Sequence, residues 1–585
     1  MKLNDVTDYR VEGETAVITL SSPPVNALSA AVRGGIAAGL ARAHDDARAQ
    51  AIMLICDGRT FFAGADITEF GKPPVPPSLF DVQDMIEDAA KPVIMAIHGT
   101  ALGGGLEIAL VGHYRVAVPS ARLGLPEVKL GLLPGAGGTQ RLPRIVGVEK
   151  ALEMIITGDS VDAAEAAAIG LIDAVVEEGG LRAGGLAFAR HILAERRPLR
   201  KIRDRDERVK MFDGASDIFD SYRRSNAEKF PGFIAPDYNL QCIEAAMQMP
   251  FDAGIAFERE RFRELRDGPQ SAAQRHIFFA ERLAARVPDM PAAIKAHAID
   301  MVGVMGDGVT AAGLATMIED AGLAVSRGPD RSAAARLSDC GLILDVQANA
   351  VATRHGSRIT VIAATTKDVD LDMHIGEEKE AANILHLHFP MPGASSRVVE
   401  IIRSDATSLE TVATAMHFVK GIAMVAVVVR RRSAMERMLA AGQAAVDGLI
   451  DQGVSPTRIA DALHGFGFTA SPFTLPVHAA GDATLALTGE ALVARLLYPL
   501  INEAAAIIGD GDVSRASDLD ILWVLGLGWP AYRGGPMFWA DQIGVNHIVS
   551  TLDDEPARLD ESPGSGQYLR DMARNGTCFA DLAAG

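Results

Sequence analysis

Over residues 1–190, short continuous apolar runs alternate with stretches in which apolar positions recur at helical spacing. The clearest runs are TAVITL, AIMLICDG, PVIMAIHG and YRVAVPS, and glycine-rich turns follow several of them. Runs of that length bounded by glycine predict buried strands, and their alternation with helices predicts an α/β domain. Between residues 190 and 290 the strand-like runs disappear and helical periodicity takes over. There the pattern predicts one long helix from Pro250 to Ala285, whose Ile255, Ala256, Phe262, Ile277, Phe278 and Phe279 need partners away from water. A second α/β segment opens at MVGVMGDG and runs to about residue 430, and the remainder is mostly helical, with loops such as HGFGFTASPF and GLGWPAYRGGP. The pattern thus divides the chain into residues 1–190, 191–290, 291–428 and 429–585.

Composition narrows the functional classes. A chain of 585 residues is too long for one core. Its formal charge of −19 excludes broad nucleic-acid binding, which needs a phosphate-neutralising surface. It does not exclude one anionic ligand held by a few local cations. One stretch runs against the acidic background: RRPLRKIRDRDERVK (196–210) has eight basic and three acidic residues, readable as a solvated helix face or as a clamp for ligand phosphates. The four cysteines (Cys56, Cys242, Cys340, Cys578) are widely spaced, as expected of reduced thiols, and no metal-ligand set is evident. The polar start MKLNDVTDYRVEG lacks a signal-peptide run, no uncharged apolar stretch reaches the ~18 residues of a membrane span, and the end DLAAG is not a peroxisomal address. These features predict a cytoplasmic enzyme with no membrane span and no nucleic-acid partner.

The candidate chemistry lies in FFAGADITEF (61–70), HGTALGGGLEIAL (98–110) and GLPEVKLGLLPGAGGTQRLPR (124–144). The strand PVIMAIHG leads to Gly103, Gly104 and Gly105, then to a helix beginning LEIALVG. Glycines let the backbone approach a ligand closely, and a helix start offers unpaired N–H groups that can stabilise an oxyanion. Glu107, one turn into that helix, and Glu127, twenty residues on in GLPEV, both have apolar neighbours. A carboxylate so placed is costly unless paired or working, and burial raises its pKa into a useful range. Two such groups around one water-sized gap suit addition of water to a double bond. His98, just before the glycines, reads as a structural histidine, since the glutamates already supply acid and base.

In order and spacing, AGADI, ALGGGLEIAL, GLPEVKLG and PGAGGTQRLPR resemble the crotonase family of enoyl-CoA hydratases and isomerases. The resemblance implies a ββα-spiral domain over 1–190 and a helical linker over 191–290 that completes the CoA site. It implies an oxyanion hole at the N–H groups of Ala65 and Gly104, catalysis by Glu107 and Glu127, and CoA contacts from Ala63, Asp66 and Ile67. Thr68 stands where family members often carry a basic residue. With both glutamates present, the resemblance implies hydration of trans-2-enoyl-CoA without a cofactor, with Δ3–Δ2 isomerisation as a side reaction.

Farther on, VGVMGDGVTAAG (302–313) carries G-x-G-x-x-A through Gly306, Gly308 and Ala311, a dinucleotide-binding signal between a strand and a helix. ILHLHFPMP (384–392) and VVEIIR (398–403) place His388 and Glu400 twelve residues apart, and SDLDILWVLGLGWPAYRGGPMFWAD (517–541) is a long, specific segment. Together these resemble the multifunctional β-oxidation enzymes, in which a 3-hydroxyacyl-CoA dehydrogenase half follows the crotonase half. That implies a shortened Rossmann-like domain, then all-α dehydrogenase-type repeats, with His388 as base and Glu400 orienting it. The departures are several. LAVSRGP puts Arg327 and Gly328 where an acid should hold the ribose, and only DRSAAARLSDC separates that strand from the next. AATTK puts Thr365 at the family's catalytic serine, and SAMER puts Glu436 at its asparagine, where a carboxylate cannot donate to a thioester oxygen. The reading is therefore an acyl-CoA hydratase, compatible with a monomer, whose dehydrogenase half no longer works and whose use of NAD is in doubt. Its alternatives are a bifunctional hydratase and NAD-dependent dehydrogenase, and a non-catalytic acyl-CoA-binding partner protein.

Overall fold

The computed structural model describes residues 1–69, 72–210, 212, 215–288, 290–291, 293–328, 340–346, 361–364, 382–390, 396–477, 487–554 and 564–583. The chain forms two compact units, Met1–Ala272 and Ala273–Gly585.

In the first unit, the strands β1 (Lys2–Asn4), β2 (Thr7–Glu12), β3 (Thr15–Leu20), β4 (Ala51–Cys56) and β5 (Val93–Ile97) are followed by β6 (Thr100–Leu102) and β7 (Tyr114–Ala117). Then come β8 (Arg122–Gly124), β9 (Ser160–Asp162) and β10 (Ala174–Val175). All four runs singled out in the sequence are strands of one seven-stranded sheet, ordered β1-β2-β3-β4-β5-β7-β10. β3, β4, β5, β7 and β10 pair in parallel, and β4, β5 and β7 are buried on both faces, which explains their unbroken apolar sequences. A small second sheet, β6-β8-β9, has strands of three residues, too short for any pattern to reveal. It matters most for function. β6 and β8 run parallel with Leu102 opposite Gly124, so the chain segments leaving them, one toward Glu107 and the other toward Glu127, start side by side.

The helical stretch after residue 190 differs from expectation at one point. The predicted Pro250–Ala285 helix is two helices, Phe251–Asp267 and Pro269–Ala284, broken at Gly268. Proline cannot continue the hydrogen-bond ladder of a preceding helix but suits the first turn of a new one. Phe279, expected to need cover, is 40% exposed.

The second unit holds another seven-stranded sheet, built from β11 (Met301–Met305), β12 (Ala324–Gly328), β13 (Leu342–Asp345), β14 (Val361–Ala364), β15 (Ile384–His388), β16 (Val398–Arg403) and β17 (Val425–Arg430). Its order is β12-β11-β13-β14-β15-β16-β17, parallel except where β15 meets β16. The helices that follow bury an aromatic cluster in which Trp529 lies 6.0 Å from Trp523 and 5.7 Å from Trp539; these are all three tryptophans of the chain. One helix there, Gly489–Gly509, is long and apolar enough by composition to cross a membrane, but Leu496, Leu497, Leu500 and Ile501 are fully buried within the unit.

Candidate active site

The glycine turn opens where β6 ends. Gly103 has φ 54°, caps the helix Gly104–Val111 and donates its N–H to the Gly124 carbonyl of β8 at 2.9 Å. A side chain there would be strained, and its first carbon would lie 2.8 Å from Glu127 Oε1. As the first helical residue, Gly104 keeps its N–H outside the helix's own ladder. A methyl group on Gly104 would lie 3.0 Å from the Ala65 amide nitrogen, a tight contact that glycine avoids. The backbone thus brings Ala65 and Gly104 together.

Glu107 is 3% exposed, and its Oε1 accepts from the backbone N–H groups of Ala136 (2.7 Å) and Gly138 (2.9 Å). Burial pushes its carboxyl up to about 7 against those two donors and the nearby Arg141 guanidinium. Arg141 is itself buried and paired with Glu87 at 3.1 Å. Glu127 starts a short 3-10 turn after β8. Its Oε2 is buried and has no hydrogen-bond partner among the described residues. Burial first, then the charges of Glu107 and Glu258, raise its carboxyl well above the ordinary carboxylate range.

Glu258 is a third carboxylate at the site, fully buried, and sequence reasoning missed it. It lies on the Phe251–Asp267 helix, on the same face as Gly254 four residues earlier. In sequence it sits in AFERERFREL, which reads as a charged, solvated helix; the spacing from Gly254 was the only signal. The same helix brings Phe262 and Leu265 into a small apolar cluster with Leu132 and Leu133, the residues just after the Glu127 turn.

Of the expected CoA contacts, Ala63 and Asp66 are half-buried and Ile67 begins the 3-10 turn Ile67–Glu69; Ala65, expected at the oxyanion hole, is exposed. Asp66 accepts from the Thr68 hydroxyl (2.7 Å) and N–H (3.1 Å), so Thr68, where a cation was looked for, is held by the Asp66 carboxylate that caps the turn. His98 Nε2 meets the Gly58 carbonyl at 3.1 Å. The basic stretch 196–210 is not one helix face: it contains the turn Ile202–Asp204 and the short helix Glu207–Lys210. Arg200 pairs with Asp173 (3.0 Å), Lys201 with Asp88 (2.6 Å) and Arg203 with Asp252 (2.6 Å).

In the second unit, His388 at the end of β15 faces Glu400 of β16, its Nδ1 3.0 Å from Glu400 Oε2. Glu400 also accepts from the Ser433 hydroxyl (2.5 Å) and the Ala434 N–H (2.7 Å). The other ring nitrogen, Nε2, lies 3.2 Å from Glu436 Oε1. Burial favours the neutral ring, but hydrogen bonds and charge from Glu400 and Glu436 outweigh it and push His388 up to about 9. Gly306 (φ 125°) and Gly308 (φ 91°) form the turn between β11 and the helix Val309–Asp320, on which Ala311 is buried. Arg327, in β12, is held by both oxygens of Glu319 (3.0 and 2.9 Å). Thr365 lies outside the described residues.

The family model for enoyl-CoA hydratase/isomerase matches residues 10–207, and that for the NAD-binding domain of 3-hydroxyacyl-CoA dehydrogenase matches residues 346–432. The chain is a crotonase–dehydrogenase fusion. The fusion is similar along its length to proteins named for the same combination. A peroxisomal fatty acid beta-oxidation multifunctional protein of Arabidopsis thaliana is 28% identical, over 97% of either chain. A peroxisomal bifunctional enzyme of Danio rerio is 29% identical, over 93% of either. A solved enoyl-CoA hydratase from Bacillus anthracis is 27% identical over 47% of the fusion and 96% of its own chain, with a TM-score of 0.31. These names correct one expectation: relatives matching the fusion nearly end to end are named peroxisomal, which overturns the cytoplasmic placement. A charge balance and a polar N-terminus do not distinguish one reducing compartment from another.

Proposed function

We propose that the crotonase half hydrates trans-2-enoyl-CoA thioesters to 3-hydroxyacyl-CoA through Glu107, Glu127 and the amides of Ala65 and Gly104. One observation carries this reading: two carboxylates at the glycine turn, Glu107 buried and Glu127 half-buried with its Oε2 buried, unequally held. Glu107 accepts two backbone N–H bonds and stands near neutrality, so it is available as a base. Glu127 Oε2 lacks a partner among the described residues, and burial, with the charge of Glu107, favours its protonated form. Like-charged neighbours that cannot both ionise divide into one base and one acid. Glu107 then takes the proton of the water attacking C3, the two amides stabilise the enolate oxygen, and Glu127 protonates C2.

The dehydrogenase half is proposed to be inactive. A base must be free to accept a proton, yet His388 has a carboxylate on each ring nitrogen. The glycine turn suits a pyrophosphate, but at the ribose position a guanidinium tied to Glu319 replaces the acceptor that NAD needs, so the residues present do not fit that cofactor. A scan of enoyl-CoA thioesters, followed by ultraviolet absorbance with and without NAD, tests both statements. The enoyl band should disappear without nucleotide, and no NADH should accumulate. Growth of NADH would restore the bifunctional reading; an unchanged enoyl band across the scan would leave an acyl-CoA-binding protein.

A further inference from the structure

We infer that Glu258 is a positioning residue for hydration, gripping the turn 136–139 from behind and so fixing the Glu107 carboxylate; this rests on the hydratase reading. Two carboxylates share the N–H groups of that turn in alternation. Glu107 takes those of Ala136 and Gly138. Glu258 takes those of Gly137 (2.6 Å) and Thr139 (3.0 Å) and also the Thr139 hydroxyl (2.5 Å). Gln140 Nε2 donates to the Thr139 oxygen (3.0 Å), which leaves the hydroxyl proton for Glu258. Each of these partners can donate, so together they favour the ionised form of Glu258 against its burial.

Such an arrangement is expensive as mere packing. Glu258 is fully buried, and burial together with the Glu107 charge pushes its carboxyl up to about 8 while the three donors oppose the shift. Its neighbours on the helix face, Gly254 and Leu265, are apolar, and an apolar residue at 258 would satisfy the packing at less cost. It would also leave the Gly137 and Thr139 N–H groups without their carboxylate, and the turn free to swing away from Glu107. Gly137, with φ 92°, is the pivot that lets successive N–H groups face opposite carboxylates.

The test uses the full chain, with crotonyl-CoA as substrate. Glu258→Gln keeps the shape but turns an amide N–H₂ toward a donor. It should lower kcat by about 10–100-fold, the scale on which small misplacements act, with KM changed less than threefold. Because Glu258 works through Glu107, adding Glu258→Gln to Glu107→Gln should cost nothing further. Thr139→Val, which removes one of the three bonds, should lower kcat by a few fold and likewise lose its effect on the Glu107→Gln background; it serves if Glu258→Gln does not fold. The inference is overturned if Glu258→Gln hydrates at wild-type rate while Glu107→Gln is crippled, or if its loss is the same on both backgrounds and tracks a lowered Tm. If Glu107→Gln itself hydrates at wild-type rate, the hydratase reading has failed, not the geometry of the turn.

Discussion

The two units each contain a cluster of buried and half-buried ionisable groups built around carboxylates, and the clusters behave oppositely. In the first, burial disfavours the charged forms of Glu107, Glu127 and Glu258, neighbouring carboxylates add to this at Glu127 and Glu258, and all three carboxyls are raised. In the second, Glu400 and Glu436 flank one histidine, so the anions and the imidazolium stabilise one another and His388 stays charged to about 9. The side chains are ordinary in both places, and Glu400 even orients His388 as a catalytic partner would. Like charges in a confined space give proton mobility, and opposite charges take it away. Glu436 brings a second carboxylate to the ring nitrogen that Glu400 leaves open.

The comparison can be broken most severely at the first cluster. Glu107→Gln and Glu127→Gln should each lower hydratase kcat by on the order of 10²–10⁴. In the unchanged protein the rate should rise with pH through about 7 as Glu107 ionises. Wild-type rates in both single variants would remove the site. A smaller effect is expected at the second cluster. Glu436→Gln removes one anion from His388, so the ring's pKa, followed by NMR of its carbon-bound protons, should fall by on the order of one pH unit. An unmoved titration would show that Glu436 does not hold the ring. The smallest effect, none beyond twofold, is expected for His388→Ala on hydration; a tenfold loss would mean that the two clusters are not independent.

What could be read in advance follows the strength of each physical signal. Strands such as AIMLIC and VIMAI are buried on both faces, so nothing but apolar residues fits them and they stand out. Glu107 stood out for the same reason, as a carboxylate in the otherwise apolar GGLEIALV. Glu258 was hidden because its helix carries charged residues on every side, and only the fold reveals which of them point inward. The pairing of β6 with β8, which brings the two glutamate segments together, joins residues more than twenty apart through three-residue strands that leave no periodicity. The break at Gly268–Pro269 was legible, since glycine followed by proline ends helices, but the apolar spacing across it suggested continuity. The contact between His388 and Glu436 depends on the start of the Ala434–Asp451 helix lying against the end of β15, a tertiary relation that no local pattern contains.

The aromatic cluster of the second unit has a practical consequence. Because Trp523, Trp529 and Trp539 are the only tryptophans in the chain, intrinsic tryptophan emission observes one half of the molecule and is blind to the other. Enoyl thioester turnover observes the half that has none. Heated or titrated with urea, a single sample therefore carries two separate gauges, and any gap between their midpoints measures how far one half can come apart while the other still stands.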